Sequence, residues 1–476
     1  MADIISLTVP IEGEDTTLYL KDAKLRGTIA DVKDYIGYVS DKVIGLQADF
    51  ENSIFTRLGA AVGKNAGTDF DVFKMYGGRK LCNLADDGTV NAWYGDTGYI
   101  EDGSNGQVMV WQPKFYYKTV PLKMDPITDG EGYHLRKVNY YISDEPLDGF
   151  KVHPAFLDAD GNEVDGYYIG AYEACLYDDS EGEYRKYDTW DVSYDSTEDT
   201  YTINALNTYL ADANNDKLSS IAGVKPASGE YSTQFTRPNV NKMATNRGAK
   251  WTGVNFKIVS AEQLLFVIEY ATFDSQAALG NGVVSFESGS HNESVFTGST
   301  SALGNSSGAA ASTSRLVSDG TYETTTTNSK VSVRYRGVEN FFGNIWACIH
   351  GVNIHGNGSQ RGGIPYYCTD FNYEENKNSG NYVSTHITMA NSSSYVSAFG
   401  YSTSCDWAFI PTEGLGNSTK PVGDYIYVTQ NLNSYCIARL GGYWHSGVIA
   451  GAFHWHWYTS VGYRHRTIGG RLARLG

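Results

Sequence analysis

Residues 441–471 read GGYWHSGVIAGAFHWHWYTSVGYRHRTIGGR, a run with four histidines, three tryptophans, three tyrosines and three arginines set between glycines, and without a carboxylate or a lysine. Within it, GAFHWHWY alternates strictly, which predicts a strand with Phe453, Trp455 and Trp457 on one side and His454, His456 and Tyr458 on the other. After the TSVG turn, Tyr463, His465 and Thr467 share one face, opposite Arg464 and Arg466. Burying several histidines and arginines without partners costs kilocalories per group, so one face of this strand pair is expected to meet water. Exposed Tyr, His, Trp and Arg offer large contact area with few rotors, as a recognition surface requires.

Metal binding is the first rival reading. His454 and His456 form an i, i+2 pair that His445 and His465 could join. Zinc sites normally converge four ligands backed by carboxylates or carbonyls, and this segment has no acid. No metal and no other cofactor is expected. Nucleophilic catalysis has no sequence support either: the chain lacks a G-x-S-x-G elbow, a P-loop, and a G-x-G-x-x-G that opens a helix after a strand.

The 476 residues exceed the size at which one core stays economical, so two or three structural units are expected. Tyr (36) and Gly (52) are abundant, which points to β-rich, loop-heavy architecture. The net charge of −17 argues against nucleic acid or an anionic membrane as partner. From Ile437 onward there are five arginines and no acid, so the rest of the chain carries −22. The opening MADIISLTVPIEGED lacks the basic and apolar regions of a secretory signal, and no window approaches a bilayer span. The six cysteines are scattered and read as reduced core thiols.

Along the chain, DTTLYLKDAKLRGTIADVKDYIGYVSDKVIGLQADF (15–50) places Leu25, Ile29, Val32, Ile36 and Val39 at helical spacing, which predicts an amphipathic helix whose stripe needs a partner. Residues 68–106 are dense in D-G turns between short strands, and hairpin turns account for their aspartates and for DADGNE (158–163) better than calcium does. VMVWQPKFYYKTV (108–120) and YYIGAYEACLY (167–177) read as buried strands. SAEQLLFVIEYATFDSQAAL (260–279) predicts a helix with Ser260 as N-cap, Gln263 completing a capping box, and Leu264, Leu265, Ile268 and Ala271 on one face. Residues 286–330 are Gly/Ser/Thr-rich and read as a mobile surface insertion.

Three stretches carry a resemblance: YRGVENFFGNIWACIHGVNI (335–354), WAFIPTEGLGNST (407–419) and RLGGYWHSGVIAGAFHWHW with RTIGGRLARL (439–475). They resemble the C-type lectin fold of the formylglycine-generating-enzyme branch, and more narrowly the variable proteins of diversity-generating retroelements, typified by phage tropism determinants and tail-tip adhesins. LADDGTVNAWYGDTGYIEDGSNGQVMVWQPKFYYKTV (84–120) and GYHLRKVNYYISDEPLDGFKVHPAF (132–156) look like gut-phage tail proteins of this group. The resemblance covers about residues 68–476.

In that family, adenine mutagenesis turns Asn codons into Tyr, His, Ser, Thr, Val or Ile but not Trp, Lys, Glu, Gln or Met. Between Tyr443 and Thr467 there is no Lys, Glu, Gln or Met. The resemblance therefore implies diversified, ligand-binding positions at Tyr443, His445, Ser446, Val448, Ile449, His454, His456, Tyr458, Thr459, Ser460, Tyr463, His465 and Thr467. Trp444, Gly447, Gly451, Phe453, Trp455, Trp457 and Arg471 would be framework. The enzyme branch needs a cysteine pair near the C-terminus for copper, yet no cysteine follows Cys436, and GGYW is followed by His445 and Ser446. Calcium-type sugar binding has only RPN at 237–239.

The fold class expected is α+β: a mixed, strand- and loop-rich C-type lectin-type domain at 107–476, with its insertion at 286–330 and variable region at 439–471. Before it come a small β connector at 56–106 and a helical attachment or oligomerisation segment at 1–55. The function expected is a non-catalytic phage receptor-binding adhesin, made in the host cytoplasm and carried on the virion tail. Its partners would be a host surface protein or glycan, tail or baseplate proteins through the N-terminal segment, and two further copies in a homotrimer, with no membrane insertion. The alternatives are a bacterial surface or ligand-binding protein diversified by a chromosomal retroelement and, third, a formylglycine-generating-type oxidase.

Overall fold

The computed structural model describes residues 5–11, 14–20, 41–185, 191–195, 200–204, 211–229, 235–286, 294–310, 313–318, 321–356, 362–429 and 433–476. The architecture is built around one element, the helix Phe256–Tyr270. Its sequence, FKIVSAEQLLFVIEY, is apolar on every side, and every residue from Phe256 to Glu269 is buried. A helix of that kind is enclosed rather than laid on a surface. Its N-cap is Asn255, whose side chain accepts from the Ile258 amide at 3.0 Å. The helix thus starts a turn before the expected cap: Ser260 lies inside it, bonded to the Trp407 carbonyl. Ala271 closes it in the left-handed region, and SQAAL forms a separate short helix, Ser275–Leu279, capped by Asp274.

Polar side chains on this buried helix reach into different layers of the molecule. Lys257 donates to the Thr369 carbonyl (3.0 Å), and Glu262 holds Arg79 (2.8 Å) and the Tyr167 hydroxyl (2.7 Å). Gln263 donates to the Ala452 carbonyl (2.7 Å). Glu269 accepts from the Gly67 amide (2.8 Å), from Tyr335 (3.1 Å) and from both Nε and Nη2 of Arg336 (2.7 and 2.8 Å). Each bond satisfies a group that burial would otherwise penalise.

Three larger sheets surround the helix. In the first, Tyr133–Ser143 lies between Tyr116–Pro126 and Val43–Asp49, and Val43–Asp49 pairs in turn with Ile54–Gly59. In the second, the C-terminal strand Leu472–Leu475 sits between Trp251–Gly253 and Gly166–Gly170, followed by Gln107–Pro113, Lys80–Leu84 and Val90–Trp93. The third carries the C-terminal aromatic stretch. Its order is Tyr382–Ser384, Ile364–Cys368, Trp346–His355, Tyr435–Gly441, Gly451–Thr459, Tyr425–Tyr427 and Ser394–Tyr395, with Ile468–Gly469 added in parallel to Trp346–His355. This strand-rich arrangement of several sheets is compatible with a β-rich, C-type lectin-like fold.

Two expectations change here. Both ends of the helix read over 15–50 are strands, Glu14–Leu20 and Val43–Asp49. In the latter, Ile44, Leu46 and Ala48 alternate inward at period two, and that pattern governs. Leu25, Ile29, Val32, Ile36 and Val39 lie outside the described residues. The 286–330 stretch is not merely a surface insertion: Val295, Thr297 and Thr300 are buried, and Thr300 bonds to Glu339 through its amide and hydroxyl (2.7 and 2.5 Å). The six cysteines are buried and unpaired. The aspartates of the turns act on backbone amides, as Asp158 does toward Asp160 and Asn162, and among the described residues no helix is long and apolar enough to cross a membrane.

The Glu269–Arg336 pair generates a test, because removing one partner of a buried ion pair strands the other. Glu269→Gln is expected to cost ~3–5 kcal/mol, read as a lowered urea midpoint. A midpoint within experimental error of wild type would show that the pair does not anchor this layer.

Candidate functional site

The Gly451–Thr459 strand lies antiparallel to Tyr435–Gly441 and parallel to Tyr425–Tyr427. Gly451 is required at its start, because a Cβ there would meet the Asp424 carboxylate at 2.1 Å. Asp424 in turn accepts from the Phe453 amide (2.7 Å), and its burial pushes its carboxyl well above the usual range. The alternation then runs as the sequence predicts. Phe453 packs against Phe273, Phe399 and Phe409 at 5.2–5.5 Å between ring centres, Trp455 meets Phe256 of the central helix, and Trp457 packs on Trp455.

The opposite side departs from expectation at its middle. His454 is fully buried and His456 is 7% exposed. Trp346 covers both rings, at 4.5 and 5.6 Å, and Tyr427 covers them from the other side at 5.6 and 5.4 Å. Arg439, the cross-strand partner of His456, brings Nη2 to 2.7 Å from both of its ring nitrogens. Neutral imidazole behaves here as a half-polar aromatic. Burial, then the Arg439 charge, lowers His454 to about 3 and His456 to about 2. Neither ring nitrogen of His454 has a hydrogen-bond partner. Ser446 and Thr467 are also buried and shape turns, Ser446 Oγ accepting from the Tyr443 amide (2.9 Å) and the Thr467 carbonyl from the Trp346 amide (2.8 Å).

Tyr458 and Tyr463 are each 42% exposed and Val448 is 62% exposed; His445 and Ser460 are exposed too, while Tyr443, Ile449, Thr459 and His465 are partly so. Sequence reasoning missed the rest of this face. Tyr395, Tyr425 and Tyr427 come from strands 31–63 residues upstream of Tyr458, yet they extend the same aromatic layer. Tyr395 and Tyr425 pack edge to face at 5.2 Å, Tyr425 and Tyr427 lie at 4.9 Å, and Tyr427 reaches Tyr458 at 6.5 Å. His456 stacks under Tyr458 at 4.1 Å, and Tyr463 stacks with His465 at 6.5 Å, 12° from parallel. The available signal was the Tyr-Ile-Tyr alternation at 425–427, with Ile426 buried between two outward rings.

Of the framework positions, Trp444, Phe453, Trp455 and Trp457 are buried. Arg471 donates to the carbonyls of Gly170, Glu339 and Asn340 at 2.6–3.1 Å. Among the described residues no group of three His, Cys, Asp or Glu side chains converges on a common point. What the face offers is phenol hydroxyls, flat aromatic surface and arginine, on rigid strands with a core behind them.

No protein-family model and no curated protein matches the chain. Among solved structures, the Major Tropism Determinant U1 variant aligns with a TM-score of 0.28 at 12% identity, over 89% of this chain and 77% of that one. The P3c variant gives 0.27 at 12%, over 87% and 73%, and the I1 variant 0.28 at 12%, over 87% and 73%. The reading of the site rests on its own geometry.

The buried imidazoles set a pH dependence. In the unfolded chain each takes up a proton near pH ~6.5, whereas in the fold His153, His350 and His454 do so near 3 and His456 near 2. Stability from these groups is full above the unfolded value and falls as pH drops toward 3, by on the order of 2 kcal/mol per imidazole at pH 5. His454→Leu should leave the pH 7 melting temperature unchanged or higher and shrink the drop between pH 7 and pH 5. A full wild-type drop in that variant would show that His454 is not one of the groups responsible.

Proposed function

We propose that this protein is a phage tail-tip, receptor-binding adhesin that recognises a host surface ligand without catalysis, through the outward face of its C-terminal sheet. The observation that carries the reading is the continuous aromatic layer of Tyr395, Tyr425, Tyr427 and Tyr458, with Tyr463 beside it over Arg439, partly open to solvent and backed by buried tryptophans. Aromatic residues held on rigid strands lose little entropy on contact, which is what gives such side chains their weight in interfaces. The resemblance of 335–354, 407–419 and 439–475 to retroelement-diversified variable proteins supports the same reading.

On this proposal Tyr443, His445, Val448, Ile449, Tyr458, Thr459, Ser460, Tyr463 and His465 meet the ligand, and exchanging them changes specificity at little cost to the fold. His454, His456, Ser446 and Thr467 act from beneath, by setting the height and tilt of the rings above them. The N-terminal segment joins the protein to the tail, and a trimer multiplies weak single contacts by avidity.

The test is binding of the labelled full-length chain to a panel of bacterial cells. A strain that captures the wild type should lose Tyr458→Ala and Tyr425→Ala by about 30-fold each, the effect of ~2 kcal/mol at an interface centre. Leu415→Ala, an exposed apolar site absent from the aromatic layer, should bind as wild type. Undiminished binding by both tyrosine variants would overturn the assignment of this face. DNA beside the gene should carry a reverse transcriptase and a near-repeat of the 3′ end differing at adenines, and tail genes next to it would separate the phage reading from a bacterial surface protein.

A further inference from the structure

Arg439 sits in the middle of the aromatic layer in an unusual electrostatic position. It is 4% exposed, and among the described residues its Nε has no hydrogen-bond partner. Its guanidinium lies over the Trp346 ring at 5.5 Å and the Tyr463 ring at 5.3 Å, so it is sandwiched between a buried and a half-exposed aromatic. The groups facing it are the neutral imidazoles of His454 and His456, the Cys348 thiol, and the phenols of Tyr458 and Tyr463. No carboxylate is among them, and none occurs anywhere from Ile437 to the C-terminus.

Several other buried arginines of the fold meet a carboxylate, whereas Arg471 and Arg474 bond backbone carbonyls. Arg79 is paired with Glu262, Arg336 with Glu269 and Arg237 with Glu375. Among the described residues, the arginine that lies under the exposed tyrosines meets an imidazole and aromatic rings but no carboxylate. Aromatic rings recover part of the cost of such a burial by cation–π attraction, but the fork of N–H donors remains suited to a planar anion.

We propose that Arg439 is the anion-binding centre of this face and that the ligand it selects is a carboxylate-bearing saccharide. The proposal rests on the receptor-binding reading and names the ligand class for it. Tyr463, on the exposed turn after the Gly451–Thr459 strand, covers the guanidinium and opens onto solvent. A sugar carboxylate that displaces the Tyr463 ring from above the guanidinium would reach the Nε–H, while Tyr458 and Tyr427 stack on the apolar faces of the sugar rings and Ser460 meets their hydroxyls. Flat rings and neutral imidazoles around a single buried cation suit an acidic sugar better than an acidic peptide, which would call for several cations within the aromatic layer.

The experiment is calorimetric titration of the full chain with trigalacturonate, maltotriose and hexaglutamate. Trigalacturonate should bind saturably and more weakly as NaCl rises, with maltotriose and hexaglutamate at least tenfold weaker. Arg439→Lys, which keeps the charge but loses the fork, should weaken trigalacturonate at least tenfold, whereas Arg464→Gln on the exposed turn should stay within twofold. Equal binding of maltotriose, equal binding of hexaglutamate, or no binding of trigalacturonate would each overturn the proposal. The adhesin reading is separable: cell capture that depends on Tyr458 but is not competed by trigalacturonate leaves that reading standing and removes this one. Absence of any face-dependent cell capture removes the reading itself.

Discussion

Enclosure of the helix Phe256–Tyr270 is the constraint on which the rest of the molecule depends. A helix buried on all sides has no solvent face on which to place polar side chains, so each one must find a partner in a neighbouring layer. Glu262 reaches the second sheet through Tyr167 and Arg79, Glu269 holds the 335–336 turn and the 67 loop, and Gln263 takes the Ala452 carbonyl at the start of the candidate binding strand. Register in the C-terminal sheet is thereby tied to the centre of the molecule. With Gln263 on Ala452 and Asp424 on the Phe453 amide, a one-residue slip of Gly451–Thr459 would lose both bonds and turn Phe453, Trp455 and Trp457 out of the core.

That fixed register gives the outward side its character. The sheet carries two aromatic layers back to back, one sealed against the helix and one graded from closed to open. Its closed part is His454, His456 and Trp346; its open part is Tyr425, Tyr458 and Tyr463. Imidazole serves the closed part because it can be uncharged there, and Arg439 beside it reinforces that neutrality. Residues in the lower layer can thus tune the upper one without touching a ligand, a division of labour that the proposed binding face would use.

How much of this was legible in the sequence varied with the physics involved. Strand alternation at 451–459 sorted Phe453, Trp455 and Trp457 from His454, His456 and Tyr458 correctly, since the period of a strand is local. What covers each side is not local: Trp346 lies far back along the chain and Arg439 on the neighbouring strand, and nothing in 441–471 announces either. The start of the central helix was misplaced because SAEQ imitates a capping box, whereas the real cap, Asn255, precedes a turn too apolar to look like a beginning. Thr300 was taken for surface because its neighbours are Gly and Ser; its burial is made possible by Glu339, some forty residues on. Tyr395, Tyr425 and Tyr427 were overlooked because a three-residue strand carries too little pattern to be read alone.

The central claim is that one side of the Gly451–Thr459 strand is core and the other, through its tyrosines, is the contact surface. Hydroxyl-radical footprinting of the full chain, free and bound to cells that capture it, measures this directly. The account predicts that Tyr458 and Tyr463 are oxidised readily in the free protein and shielded on the cells, while Trp455 and Trp457 stay unmodified in both states. Shielding confined to another surface, or tryptophans as reactive as the tyrosines, would contradict it.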